Sequence, residues 1–197
     1  TSQMAFLHED LTQNGLHSAE RFTIMSTVKR KKREAGQMAE KPIVTNAMRL
    51  LKAAGIVFEV KTYEVDEKDL SGVHVAQVCG LPPEQVFKTL VLKGERKGPM
   101  VCVIPVELEV DLKKLAHASG DKKVEMLPMK DLLGLTGYIR GGCSPIGMKK
   151  KFPTYLDETA TLCDVVAVSA GVRGAQLLLH PDDLIRYTEA QVCDVTE

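Results

Sequence analysis

The sequence predicts a single α+β domain that follows a polar leader. Three observations favour this fold class. Short apolar runs with strand-like alternation recur along the chain, short segments with helix caps lie between them, and no regular βαβ unit or internal repeat is visible. A chain of 197 residues that is 44% hydrophobic can bury one ordinary core. The expected organisation is a leader over residues 1–40 and a folded domain over residues 41–197.

The leader is polar, lacks a helical or strand period, and carries the basic run Lys29–Arg33. We expect it to be disordered or non-native, since Met25 and Met38 are both possible natural starts. The alternative is a basic arm that contacts RNA phosphates.

The first half of the domain contains caps and turns in chain order. Thr45 is a typical N-cap for a helix over residues 46–54, and Gly55 is a typical stop. A strand over 56–63 follows, then a short helix over 71–79 that Gly80 ends. The glycine-bearing segment 94–98 predicts a hairpin between strands over 86–92 and 100–105.

The second half continues with short elements of both kinds. Asp111 opens an amphipathic helix over 111–118, and Gly120 follows it. Pro181 is a favourable first-turn residue for the last helix. The remaining predicted elements are a strand at 123–126, a helix at 128–133, and strands at 154–156, 164–168 and 176–179.

Lys88 is the most unusual residue of the predicted domain. It lies in the middle of a mostly apolar strand, and alternation places it on the same face as Val86, Leu90 and Leu92. Because burying an unpaired ammonium is costly, such a lysine either reaches solvent at an edge or lines a cleft. A cleft lysine is a candidate for electrostatic work on a substrate, and the rest of the chain favours that interpretation.

A second unusual element is the loop over residues 141–147, which contains three glycines and a proline. Glycines let backbone N–H groups approach an oxyanion or a phosphate closely. The loop matches neither a Walker A motif nor the dinucleotide-binding fingerprint, and a tight turn between strands is the alternative.

Basic residues surround this loop in the sequence. They are Lys113, Lys114, Lys122, Lys123, Arg140, Lys149, Lys150 and Lys151. For each run alone, a solvent-exposed charged face is about as good an explanation as an RNA-binding surface. Together, beside a pocket loop, the runs indicate an anionic substrate of the tRNA type. Polar residues at strand ends, such as Tyr63 and Asp157, are further candidates, although each alone is more often a turn former.

The composition excludes several classes of protein. Basic and acidic residues number 26 each, so any nucleic-acid contact must use a local patch. The sequence shows no apolar run of membrane-spanning length, and we expect no signal peptide, because no basic start followed by an apolar centre is visible. The five cysteines are scattered and the five histidines lack ligand spacing, so we expect a reduced, cytoplasmic protein without disulfides or a metal site.

Several motifs then occur in the order of a known family. They are Phe-Lys-Thr-Leu-Val around Lys88, Lys-Lys-Val-Glu-Met at 122–126, Thr-Gly-Tyr at 136–138, the glycine loop at 141–147, and Val-Ser-Ala-Gly-Val-Arg-Gly at 168–174. From about Thr45 to its end the chain resembles the YbaK/EbsC family. That family is part of the larger group of editing domains that includes the insertion domain of bacterial prolyl-tRNA synthetase. The resemblance implies a curled mixed β-sheet with flanking short helices.

The resemblance also implies an activity, namely trans-acting deacylation of mischarged Cys-tRNA(Pro). The thiol of the substrate is expected to attack its own aminoacyl ester, which releases tRNA and a cysteine thiolactone. This chemistry needs no enzyme nucleophile, metal or other cofactor. The implied partners are aminoacyl-tRNA and prolyl-tRNA synthetase; no membrane or DNA partner is expected.

Specific site residues follow from the resemblance. Lys88 would contact the substrate near the scissile ester, Tyr63 would line the pocket, and the backbone of Gly141 and Gly142 would hold the carbonyl oxygen or the terminal adenosine. The implied substrate-binding residues are Cys143, Ser144, Pro145, Asp157, Ser169, Arg173 and Gln176.

Two positions depart from the family pattern. Cys143 stands where the family commonly has isoleucine, and Gln176 stands where YbaK has an aspartate. Glutamine forms hydrogen bonds but cannot act as a charged partner or base. The aminoacyl group is therefore left open among cysteine, alanine and another small residue.

Two other classes of function stay open at this point. One is a non-catalytic protein of the same fold that holds tRNA ends or synthetase complexes. The other is a thiol hydrolase with Cys143 as nucleophile, which requires a histidine beside Cys143 in space.

Overall fold

The structure is a computed structural model that describes residues 43–197, and the expectations for the leader lie outside this range. The described residues form an α+β fold, as predicted. Its helices are α1 (Asn46–Ala53), α2 (Gly72–Cys79), α3 (Leu112–Ser119), α4 (Met129–Thr136) and α5 (Pro181–Thr188). Its strands are β1 (Phe58–Thr62), β2 (Phe87–Gly94), β3 (Gly98–Pro105), β4 (Val124–Met126), β5 (Thr154–Asp157), β6 (Val166–Ser169), β7 (Ala175–Leu179) and β8 (Gln191–Cys193).

The strands form two open sheets. One has the order β1-β7-β6 and is antiparallel, and the other has the order β4-β2-β3-β5-β8 and is mixed. In the mixed sheet, β5 is parallel to both β3 and β8. A parallel bridge between Val86 and Ala167 ties the start of β2 to β6, so the two sheets meet at the segment that carries Lys88.

The predicted N-cap at Thr45 is confirmed, and Ser71 and Asp111, at which two further helices were expected to begin, also act as N-caps. Thr45 and Ser71 accept hydrogen bonds from the backbone N–H groups of Met48 and His74, at 3.3 and 3.2 Å. Asp111 accepts from two N–H groups at the start of α3. Side-chain acceptors of this kind satisfy the unpaired donors of the first turn, which explains why the helices begin where the sequence places these residues.

Three clusters of buried side chains fill the fold. The largest packs α1 and α5 against the antiparallel sheet and includes Leu51 and Leu177. A second surrounds Leu92 and Leu115, between β2, β3 and α3. The third contains Val86 and packs α2 against the junction of the sheets. The Lys88 strand is thus supported by core on several sides, which fixes its backbone.

Strand β8 and two short 3₁₀ segments, Pro83–Gln85 and Glu158–Leu162, were not predicted. β8 has only three residues, and two of them are exposed, so it lacks the alternation that marks the other strands. Across residues 43–197, none of the helices combines the length and apolar character that crossing a membrane requires.

Candidate active site

A cavity of about 740 Å³ lies along the open edge of β2. On the side away from β3, β2 pairs with β4 only over Leu92–Gly94, so the preceding residues of the strand face this cavity. Its other walls come from the start of α2, the segment after β3, helix α4, the glycine loop, and the ends of β6 and β7. Four predicted site residues besides Lys88 line it: Gly141, Cys143, Ser169 and Gln176.

Lys88 lines the cavity and is held by a carboxylate. It pairs with Ile104 across the hairpin, which places its side chain on the face shared by Leu90 and Leu92. Its Nζ donates to Glu109 Oε1 at 2.9 Å, with 24% of the Lys88 side chain exposed. This ion pair holds the Lys88 side chain at the cavity wall, where its ammonium can meet a ligand with negative charge.

Glu109 is itself anchored by the backbone. Its carbonyl accepts from the N–H of Glu197 at 3.1 Å, and the next residue, Val110, bridges Thr196. The last residues of the chain therefore fix the segment that brings Glu109 to Lys88.

The glycine loop is closed by Tyr138. The phenol of Tyr138 donates to the carbonyl of Ile146 at 2.6 Å, and burial raises the pKa of Tyr138 to about 12. Gly141 has φ +80°, a conformation that favours glycine. A Cβ on Gly142 would lie 3.2 Å from backbone atoms of Val172 and Arg173, so the loop and the 169–174 turn touch through backbone there.

Two buried side-chain oxygens at the cavity lack hydrogen-bond partners in the described part of the chain. They are Oγ1 of Thr89 and Oε1 of Gln176. Gln176 is 5% exposed and lies on β7 opposite Ser169 of β6. Because a buried polar atom without a partner costs about 1–3 kcal/mol, these atoms indicate a ligand that supplies hydrogen bonds.

Cys143 lines the cavity as a neutral thiol. Burial raises its pKa to about 12, so the thiolate is scarce at neutral pH. Among the described residues that line the cavity there is no histidine. His74 lies beside Asp69, His117 lines a separate cavity, and His180 caps α5. The arrangement gives no support to a thiol hydrolase with Cys143 as nucleophile.

The remaining predicted site residues do not line this cavity. Gly142 and Ser144 are buried within the loop, and Pro145 lines a different groove. Tyr63 donates its backbone N–H to the carbonyl of Gly174, which fixes the end of β1 against the 169–174 turn.

Two charged residues from the prediction have structural partners instead. Arg173 donates to the carbonyl of Arg140 at 3.0 Å and to the carboxylate of Glu67 at 2.7 Å. Asp157 is 1% exposed and accepts from Thr159 and from the N–H of Val195. Its carboxylate caps the following 3₁₀ segment, so the structure does not bring it to the cavity.

Sequence reasoning missed Thr89 and the acidic pair Glu107 and Glu109, all of which line the cavity. The sequence contained a signal for the glutamates, namely a polar residue just after a strand: they follow the end of β3 as Tyr63 follows the end of β1. For Thr89 no such signal exists, because its place at the cavity depends on segments that are distant in the sequence.

Comparisons with known proteins show the family to which the chain belongs. Residues 70–187 match the family model of the aminoacyl-tRNA editing domain. The chain is 50% identical over 152 residues to a protein of Enterococcus faecalis that carries the name of a Cys-tRNA(Pro)/Cys-tRNA(Cys) deacylase, EbsC. That match spans 77% of this chain and 93% of its relative.

Two further matches point the same way. Proline–tRNA ligase 1 of Streptomyces avermitilis is 32% identical over 89 residues, which are 44% of this chain and 15% of the ligase. A solved structure described as a trans-editing enzyme for prolyl-tRNA synthetase superposes with a TM-score of 0.69 at 26% identity. It covers 79% of this chain and 99% of that one.

Proposed function

Since the chain belongs to the aminoacyl-tRNA editing domain family and is thereby an aminoacyl-tRNA deacylase, we propose that its substrate is mischarged Cys-tRNA(Pro). The observation that carries this proposal is the set of polar groups that line the cavity. One ammonium, two unpartnered buried oxygens and a glycine loop converge there, and no activated nucleophile lies among the described lining residues. Such a site binds and polarises an ester but leaves the attack to another group.

The attacking group in our proposal is the thiol of the substrate. Its sulfur bonds to the ester carbonyl carbon, the ester C–O bond breaks, and the thiol proton ends on the departing ribose hydroxyl of the tRNA. Cysteine thiolactone and uncharged tRNA are the products. An intramolecular thiol held near the carbonyl can replace about 7–11 kcal/mol of the barrier by proximity alone.

The cavity residues have distinct proposed roles. Lys88 stabilises negative charge as it develops on the reacting oxygens, and the backbone of Gly141 faces the carbonyl oxygen. Gln176 Oε1 and Thr89 Oγ1 accept hydrogen bonds from the substrate, for which its α-ammonium is the obvious donor. Glu109 keeps Lys88 at the cavity wall until the substrate enters.

The proposed protein partner is prolyl-tRNA synthetase, which would deliver the mischarged tRNA. It rests on the resemblance to the trans-editing enzyme and to part of the proline–tRNA ligase.

A test combines two substrates with two variants. Cys-tRNA(Pro) and its S-methylated derivative are incubated with the wild type, Lys88→Ala and the control Lys93→Ala, whose side chain is exposed and lines none of the described cavities. We expect rapid loss of the cysteinyl ester with wild type and Lys93→Ala. Lys88→Ala should reduce turnover by about 10²–10³, as removal of an oxyanion-stabilising group does.

The S-methylated substrate tests the mechanism separately. It should resist all three proteins, and thiolactone should form only from the free thiol. Equal turnover of both esters would mean that the enzyme cleaves the ester by ordinary hydrolysis and not by attack of the substrate thiol. Turnover of Ala-tRNA(Pro) alone would keep the editing activity and change its specificity, and tight binding without turnover would select the non-catalytic alternative.

A further inference from the structure

A groove of about 400 Å³ lies on the other side of the glycine loop. Its walls include the rings of Phe152 and Tyr187, and Lys150 and Lys151 also line it. We propose that this basic groove binds an unpaired nucleotide of the tRNA acceptor end, upstream of the nucleotide that carries the amino acid. This inference rests on the proposed function, because it assigns a second contact to the same substrate.

The glycine loop connects the basic groove with the active-site cavity. Gly141 and Cys143 line the cavity, whereas Pro145 and Gly147 line the groove. Cys143 and Pro145 are two residues apart, so their Cα atoms are separated by at most about 7 Å. A strand of RNA whose end enters the cavity can therefore reach the groove with a neighbouring nucleotide.

The charge of the groove suits a phosphate. Lys151 is paired with Glu189, but Lys150 is exposed and has no acidic partner in the part of the chain that the structure describes. The preceding lysine, Lys149, points elsewhere, since its ammonium lies 3.3–3.4 Å from the carbonyls of Gly134 and Leu133 at the end of α4. The groove thus presents one uncompensated positive charge beside two aromatic rings.

Aromatic rings next to a cation are the usual elements of single-strand recognition. Each base offers a face that stacks on a ring, while a lysine meets the backbone phosphate. Phe152 and Tyr187 are half-buried and pack against the main core, so their orientation is fixed before a ligand arrives. A rigid, basic and aromatic groove fits a nucleotide better than an apolar segment of a protein partner.

Binding of an uncharged RNA minihelix tests the inference without relying on catalysis. The probe carries an acceptor stem with an unpaired 3′ end, and a blunt duplex of the same stem serves as its control. Dissociation constants are measured for the full chain, Lys150→Ala, Lys150→Arg and the matched surface control Lys93→Ala. Tyr187→Leu is added with a thermal melt, since loss of the ring also removes core contacts.

We expect Lys150→Ala to weaken binding of the overhang probe about fivefold or more, and Lys150→Arg to restore it. The slope of log K against log salt should fall by about 0.7 when one phosphate contact of a single strand is lost. Lys93→Ala and the blunt duplex should show neither change. Tyr187→Leu should weaken binding of the overhang probe at temperatures where it remains folded.

Equal binding of wild type and Lys150→Ala would overturn the inference, as would an equal loss for the blunt duplex. Loss of binding to prolyl-tRNA synthetase with unchanged RNA affinity would overturn it too, and would mark the groove as a protein interface. The binding measurements do not require turnover, so their outcome is distinct from a failure of the proposed function, which fails if the wild type does not deacylate Cys-tRNA(Pro).

Discussion

Lys88 Nζ and Glu109 Oε1 are 2.9 Å apart at the wall of the cavity, and the carboxylate is the more exposed partner, with 73% of the Glu109 side chain accessible. An ion pair this exposed contributes only about 0.2–1 kcal/mol. It can therefore hold Lys88 in place and still release it to a substrate at little cost.

The first prediction follows from this pair. Glu109→Gln keeps a hydrogen-bond acceptor for Lys88 but removes a negative charge that repels the phosphates of tRNA. We expect KM for the tRNA substrate to fall about two- to fivefold at low salt, because the energy of one exposed charge–charge interaction corresponds to a change of this size. The value of kcat should change less than about twofold. Steady-state kinetics at two salt concentrations measures both. A higher KM would instead mean that Glu109 contacts the substrate directly.

The second prediction concerns the unpartnered oxygen of Thr89. Thr89→Val removes a buried hydroxyl oxygen that has no partner in the described structure, so it should raise the free energy of unfolding by about 1 kcal/mol. It should also slow deacylation, because the substrate loses an acceptor. Denaturant unfolding and single-turnover kinetics give the two quantities.

Thr62→Val is the matched control, since Thr62 lies on β1 with its side chain exposed. It should change the stability by less than about 0.5 kcal/mol and leave the activity as it is. If Thr89→Val destabilises the protein, the hydroxyl has a hydrogen-bond partner within the protein, and the interpretation that it awaits a ligand is wrong.

The third prediction concerns Cys143. Because burial raises its pKa to about 12, roughly one thiol in 10⁴ is ionised at pH 8. Alkylation by iodoacetamide should be slow at pH 8 and should accelerate about tenfold per pH unit up to pH 11. Cys143→Ala should retain deacylation within severalfold. Mass spectrometry of the modified peptide measures the alkylation rate. Loss of all activity in Cys143→Ala would instead support the hypothesis that the Cys143 thiol is the nucleophile.

Much of the fold was predictable because local signals agree with the tertiary structure. Thr45, Ser71 and Asp111 cap helices at the predicted positions, and Gly80 and Gly120 end them in left-handed conformations. The 94–98 turn joins β2 and β3 in the predicted hairpin. Capping and turn chemistry depend on neighbours in the sequence, so a sequence contains the information needed to place them.

The site was predictable only in part, because it depends on contacts between distant segments. The sequence indicated Lys88 by its misfit in an apolar strand, but its partner Glu109 is 21 positions away and anchored by the C-terminal residues. Asp157 was expected at the site as a strand-end carboxylate, whereas its actual partners are Thr159 and Val195. Alternation assigns a residue to a face of a strand, and only the packing of the sheets decides what that face meets.

The fourth prediction concerns the pH dependence of stability through Asp121. Hydrogen bonds from backbone N–H groups, that of Lys97 first, lower the pKa of Asp121 below its ordinary value. A carboxyl with a depressed folded pKa stabilises the fold above its unfolded pKa, near 3.9, and loses that contribution as the pH falls through the folded pKa. Asp121→Asn should therefore destabilise the protein at pH 7, and the difference from wild type should shrink below about pH 4.

Thermal melts of wild type and variant between pH 3 and pH 7 measure this difference. Asp164→Asn is the control, because Asp164 is exposed and has no side-chain partner in the described residues. A difference between Asp121→Asn and wild type that is constant with pH would mean that the loop at residues 94–98 depends on the shape of the side chain rather than on its charge.

The fifth prediction compares two glycines that differ in their surroundings. A Cβ on Gly142 would meet backbone of Val172 and Arg173 at 3.2 Å, whereas a Cβ on Gly134 of α4 meets nothing within 4 Å. Backbone atoms cannot move aside as a flexible side chain does, so Gly142→Ala should push the glycine loop away from the 169–174 turn. We expect deacylation to fall at least tenfold, because a displacement near the reacting atoms is costly.

Gly134→Ala should raise the free energy of unfolding by about 0.5–1 kcal/mol and preserve the activity, since alanine favours the helix. Parallel melts and deacylation assays separate the two effects, and normal activity in Gly142→Ala would show that the close approach of the two turns is not needed for the site.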